Sequence, residues 1–190
     1  MDIGEIIKDA IKGHRHAQKQ LYDCYAAGML GVCYRYTKSI EDAEDVLQEG
    51  FIKMFSKLDR YRNEGEFGAW LRRIMVNTCI NYLKKNARYN SELAFSDKEL
   101  APVTGSGMTD HPEAGLNAKE LVSLIRQLPT GYQTIFNLHV VEGYSHVEIA
   151  QALGISDATS RTQFLKARNL LKKWITELET PITKMNNDAG

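Results

Sequence analysis

Residues 144–175 read YSHVEIAQALGISDATSRTQFLKARNLLKKWI, and the pattern is that of a short helix, a glycine turn and a longer helix that becomes basic. Ser145 followed by Glu148 is a capping box, in which the serine oxygen meets an orphan backbone N–H and the glutamate reaches back. Val147, Ile149, Ala150 and Leu153 are expected on the inward face of the first helix. Gly154 stands where the turn needs positive φ, which glycine adopts without steric cost, and Ser156 can cap the next helix. In the second helix Ser160, Phe164, Ala167, Leu171 and Trp174 share one face, and Ala158, Thr162, Lys166, Asn169 and Lys173 share the opposite one. Helix, glycine turn and capped helix is the helix-turn-helix plan, whose second helix enters the major groove of DNA. Residues near its start then face base edges, and later cations face phosphates. A solvated basic face on an ordinary helical hairpin would give the same pattern.

Working outward, helical periodicity covers most of the chain and no alternating strand pattern is present, so the expected fold class is all-α. A short helix is expected at Ile3–Ile11. Leu21, Tyr25, Met29, Val32 and Tyr36 mark a second helix, and Ala43, Leu47, Gly50, Met54 and Leu58 mark a third. A fourth runs from Phe67 to about Lys85, with Phe67 and Trp70 as expected core aromatics. The pattern fails from Ala87 to Gly115, which holds two prolines and three glycines and reads as a flexible linker. A relaxed coil of that length spans roughly 30 Å, and a stretched one about 100 Å. Helical signal resumes at Leu116, runs to Pro129, and continues around Tyr132–Val141. The expected partition is a domain at 1–88, a linker at 89–115, a second domain at 116–179 and a tail at 180–190.

The chain has 190 residues, 43% hydrophobic and 25% charged, enough for one ordinary domain or two small ones. No apolar run is long enough to span a bilayer, and the first residues lack the order of a signal peptide, so a cytoplasmic location is expected. Net charge is zero, from 24 basic and 24 acidic side chains, but the charges are segregated. Glu41 to Glu49 holds five acidic residues and no basic one. Lys57 to Arg88 holds eight basic residues against three acidic, and Ser156 to Trp174 holds five against Asp157 alone. Because screening confines each field to roughly 10 Å, local blocks matter more than the sum. Cys24, Cys33 and Cys79 are odd in number and far apart, as expected of small apolar residues on helix faces in a reducing compartment.

Four segments together resemble an extracytoplasmic-function (ECF) sigma factor of bacterial RNA polymerase: EDAEDVLQEGFIKMF, FGAWLRRIMVNTCINYLKK, LIRQLPTGYQTIFNLHVVEGYSHVEIAQALGIS and ARNLL. The resemblance implies that Asp45, Leu47, Gln48, Glu49 and Ile52, with Phe51 in the same motif, dock on core RNA polymerase. An acidic block suits a basic protein surface and repels DNA. It implies that KLDRYRNEGEF, residues 57–67, catches a flipped base of the melted non-template strand, with Lys57, Arg60, Tyr61, Arg62 and Asn63 as contacts. Arg72, Arg73, Asn77, Asn81, Lys84 and Lys85 would then meet the −10 element. Opening duplex costs about 1.4 kcal/mol of stacking per step, which captured bases can offset without ATP. In the C-terminal domain Ser156, Asp157, Ala158, Thr159, Arg161, Thr162, Gln163 and Lys166 are the expected contacts with duplex DNA at the −35 element. Leu128, Pro129, Tyr132, Glu142, Gly143 and Ser145 match the family's lead-in. Asn81 stands where many members carry aspartate, and Gln163 where many carry a basic residue, so no promoter sequence transfers from relatives. Family resemblance further implies control by an anti-sigma factor.

Two other readings compete. A stand-alone helix-turn-helix regulator would protect duplex DNA without polymerase, and an adaptor would bind protein and leave DNA bare. The basic clusters argue against the second. No catalytic motif and no phosphate-cradling glycine loop occurs, so neither an enzyme, a cofactor nor a small-molecule substrate is expected. His14 and His16 lack a suitably spaced third ligand, and no metal is expected.

Overall fold

The computed structural model describes residues 2–62, 64–89 and 118–185, and these are all helix, turn or loop, with no strand among them. The chain divides into two compact units, the first ending at Tyr89.

The first unit holds α1 (Ile3–Ile11), α2 (Arg15–Tyr34), α3 (Ile40–Ser56), a 3-10 turn at Leu58–Arg60 and α4 (Phe67–Tyr89). Asp2 caps α1 by accepting from the Gly4 N–H at 2.9 Å. Ser39 caps α3 by accepting from the Asp42 N–H at 3.1 Å, and Glu41 and Asp42 lie in the first turn, where the helix dipole favours negative charge. Helices α2, α3 and α4 pack on one another, and α1 packs on α2. Leu21, Met54, Leu58, Leu71 and Met75 fill the space between them, fully buried. Each such side chain contributes about 1.5–3 kcal/mol against exposure. Tyr36 and Leu58 lie beyond the helices whose stripes they extend, yet both are buried, because the turns keep them facing inward. Tyr82 of α4 hydrogen-bonds Asp42 at the start of α3; burial and that carboxylate push its hydroxyl up to about 12. The helix α4 runs four residues past the expected Lys85, to Tyr89.

The second unit holds α5 (Ala118–Gln127), α6 (Thr130–Phe136), a π-helical turn (Asn137–Val141), α7 (His146–Leu153) and α8 (Asp157–Met185). Its core joins Leu124, Ile125 and Leu128 to Ala167, Leu171 and Trp174. The expected helix over Tyr132–Val141 is thus two pieces: the Glu142 N–H reaches back five residues to the Asn137 carbonyl at 3.0 Å, and Val140 and Val141 face solvent. Continuing to Met185, α8 passes the boundary expected at 179.

At the α7–α8 turn the sequence reading holds in detail. Both arms of the Ser145–Glu148 capping box form, Gly154 takes φ 73°, and Ser156 accepts from the Thr159 N–H at 3.0 Å. One inward residue is a correction. Val147 is exposed, because it lies nearly half a turn of helix away from Ile149, which is fully buried.

Candidate protein and nucleic-acid interfaces

Helix α3 has two unlike faces. Ala43, Val46, Leu47, Gly50, Phe51 and Met54 point into the bundle. Asp45, Gln48, Glu49 and Ile52 follow i, i+3, i+4, i+7 spacing on the other side, and all four are exposed, Ile52 at 69%. The result is an acidic stripe ending in an apolar tip. Lys53 pairs with Glu49 at 2.5 Å and trims part of its charge. Leu47 is corrected from expected contact to core: it is 4% exposed and supports the stripe from beneath. Sequence reasoning missed Tyr22, which is exposed on α2 with its ring 4.7 Å from that of Phe51.

Lys57 just before the 3-10 turn, Arg60 within it and Arg62 in the loop after it are exposed. Asn63 lies outside the described residues. Tyr61 is half-buried, its ring 5.2 Å from both Phe67 and Trp70, and its hydroxyl donates to the Gly65 carbonyl at 2.6 Å. It therefore braces the loop against the start of α4 and is not a free platform for a base. Phe67 is buried as expected, and Trp70 is half-buried. Beyond them, Arg73, Asn77, Asn81 and Lys84 lie along one exposed face of α4, with exposed Lys85 at its edge and Arg72 half-buried to the side. Two cations and two amides in a row can hold phosphates and base edges together.

In the second unit α7 and the start of α8 build the third face. Ala158, Arg161, Thr162, Leu165 and Asn169 are exposed on one side of α8, with Lys173 further along it. Ser156 is exposed and turned to its capping bond, while Asp157, Thr159 and Lys166 are half-buried. Gln163 is corrected from contact to core: it is 5% exposed, between buried Ser160 and Ala167. Leu165, 52% exposed in the middle of the polar face, was missed by sequence reasoning, although its position three residues after Thr162 was signal enough. A side chain of this kind is suited to a thymine methyl group.

Beneath the start of α8 lies a stacked histidine pair, His139 and His146, with ring centroids 4.3 Å apart. His139 bonds the Tyr144 carbonyl at 2.8 Å, and His146 bonds the Ser160 hydroxyl at 2.9 Å. Desolvation and the neighbouring His139 and Arg161 hold the His146 imidazole below its ordinary value, against the opposing pull of Asp157. His14 and His16, at the other end of the chain, are exposed. Among the described residues no helix is long and apolar enough to cross a membrane, and no group of three or more histidine, cysteine or acidic side chains is placed to hold a metal ion.

An all-α protein of two units, the second built around a helix-turn-helix, is by class a DNA-binding protein. Sigma-70 region 2 matches residues 21–89, and Sigma-70, region 4 matches residues 118–171. The chain is 30% identical over 190 residues to the ECF RNA polymerase sigma factor SigW of Bacillus subtilis, covering 94% of this chain and 99% of that one. It is 31% identical over 180 residues to the ECF RNA polymerase sigma-E factor of Haemophilus influenzae, covering 91% and 95%. The sigma factor RpoE of Bartonella quintana, solved in complex with the anti-sigma factor NepR, shares the fold at a TM-score of 0.51 and 20% identity, covering 83% of this chain and 96% of that one. The chain belongs to the ECF RNA polymerase sigma factor family, the transcription initiation factors that direct RNA polymerase to promoters.

Proposed function

We propose that this chain divides promoter opening among its three exposed faces. The α3 stripe, through Asp45, Gln48, Glu49 and Ile52, docks on a basic surface of core RNA polymerase. Lys57, Arg60, Arg62 and Asn63, with Arg73, Asn77, Asn81, Lys84 and Lys85, take the −10 element as the non-template strand leaves the duplex. The exposed side of α8, with Ser156, Ala158, Thr159, Arg161, Thr162 and Lys166, reads the −35 element as duplex. The observation that carries this reading is that one small bundle presents an acidic stripe on α3 and a basic, amide-rich face on α4. A plain duplex-binding regulator has no use for the first.

The protein works by binding and not by catalysis, since captured bases offset the cost of strand opening. It acts in the cytoplasm, and an anti-sigma factor that covers these faces would silence it; the sigma factor RpoE of Bartonella quintana is solved in complex with the anti-sigma factor NepR. The test is a footprint of a promoter fragment with a pre-melted −10 bubble. Protection only when sigma-free core polymerase is present is the expected result. Protection of duplex by the protein alone would favour a stand-alone regulator and sink the proposal.

A further inference from the structure

The first residue of α8 is a carboxylate on a helix meant to approach phosphates. An acid there weakens binding to any DNA sequence by repulsion, so its placement calls for a compensating role. Asp157 does not read bases itself. Its Oδ2 accepts from Arg161 Nε at 2.9 Å, and its Oδ1 is buried without a hydrogen-bond partner. Oδ2 is thus aimed along the helix at Arg161 and Oδ1 is turned inward, while the side chain as a whole stays 42% exposed. The Arg161 side chain, 62% exposed, is tied at Nε alone. Its two terminal nitrogens, at the far edge of the guanidinium plane, are left for an outside acceptor pair. That edge presents two parallel N–H groups, which match the O6 and N7 acceptors of guanine in the major groove.

Stability does not account for the pair. An exposed i, i+4 bridge contributes little, and Asp157 would favour the helix N-terminus without touching Arg161. What the bond does is favour one rotamer of a long side chain before DNA arrives, which lowers the ordering cost of recognition.

We infer that Asp157 is a positioning residue: it orients Arg161 end-on so that the holoenzyme prefers guanine at one position of the upstream element. The inference rests on the proposed reading of α8 as the −35 contact.

The test uses the full chain with core polymerase, selecting from promoter fragments randomised over the upstream element. The unsubstituted protein should show one guanine position, preferred by roughly tenfold or more. Arg161→Ala should erase it. Asp157→Ala should cut it about threefold or more while binding to scrambled duplex rises, because a repulsive charge is gone. Asp157→Asn keeps an acceptor for Nε–H and should retain most of the preference, with the same rise on scrambled duplex. A merely structural role would lower both readouts together. Full guanine preference in Asp157→Ala, or equal loss of preference in Asp157→Ala and Asp157→Asn, overturns the positioning role and leaves the α8 reading standing. An unchanged preference in Arg161→Ala overturns the base contact at its root.

Discussion

Gly50 of α3 faces Met75 of α4 so closely that a Cβ built on the glycine would overlap the methionine sulfur and terminal carbon. Met75 is 0% exposed, so its thioether has little room to retreat. Gly50→Ala should therefore destabilise the first unit by about 1–3 kcal/mol, the usual cost of overpacking, despite the better helix propensity of alanine. Urea unfolding measures it. The sign should reverse in a Met75→Ala background, where the clash is gone and propensity alone favours Gly50→Ala by about 1 kcal/mol. The same sign in both backgrounds would show that the close approach does not matter.

Ile52 is the apolar tip of the acidic stripe and touches little of its own bundle. Replacing it with alanine should leave the unfolding midpoint within about 0.5 kcal/mol of the parent. Core polymerase affinity should fall roughly tenfold, as for a buried apolar anchor at an interface. Titration of fluorescent protein with core polymerase reads the second effect. Unchanged affinity would move the docking surface away from this face of α3.

Much of this architecture is written in single residues. The cap at Ser145, the turn at Gly154 and the limits of α1 follow from local chemistry that tertiary packing does not override. The corrections to Leu47, Val147 and Gln163 have another source. Helical period places Leu47 four residues after buried Ala43 and Gln163 three after buried Ser160, and it places Val147 off the Ile149 face. A residue inside a motif of contacts is readily taken for a contact, even where the period sends it inward. The π-helical turn at Asn137 was not legible, because its backbone bond to Glu142 depends on how the surrounding helices bury the asparagine. Nor was the bracing of Tyr61, since its partners Gly65, Phe67 and Trp70 suit either a loop tip or a small core.

The three cysteines, expected as small apolar residues on helix faces, differ in burial. Cys33 and Cys79 are buried and share a side-chain hydrogen bond that lowers the Cys33 thiol from its ordinary value, whereas Cys24 is exposed. An Ellman assay on native protein should find one fast thiol, lost in Cys24→Ser, and two that react only as the first unit opens. Fast reaction of all three in the native state would contradict the packing of α2 on α4.

The histidine stack makes the second unit sensitive to acid. In the folded chain His146 meets His139, Arg161, Asp157 and the Ser160 hydroxyl, and desolvation, His139 and Arg161 together disfavour its proton. The unfolded chain, with an ordinary histidine near 6.5, takes up that proton first. Proton uptake by the unfolded state lowers folding stability, so stability contributed by neutral His146 is present above about pH 6.5 and declines as pH falls toward the folded value, below which the loss levels off. The His146 ring resonance in a proton NMR titration of the full chain should therefore move with a midpoint below 6.5. Urea midpoints followed on second-unit resonances should fall between about pH 7 and pH 5, and a His146→Gln variant should flatten that slope. A ring midpoint at or above the free-histidine value would mean that the stack and Arg161 do not hold the imidazole neutral.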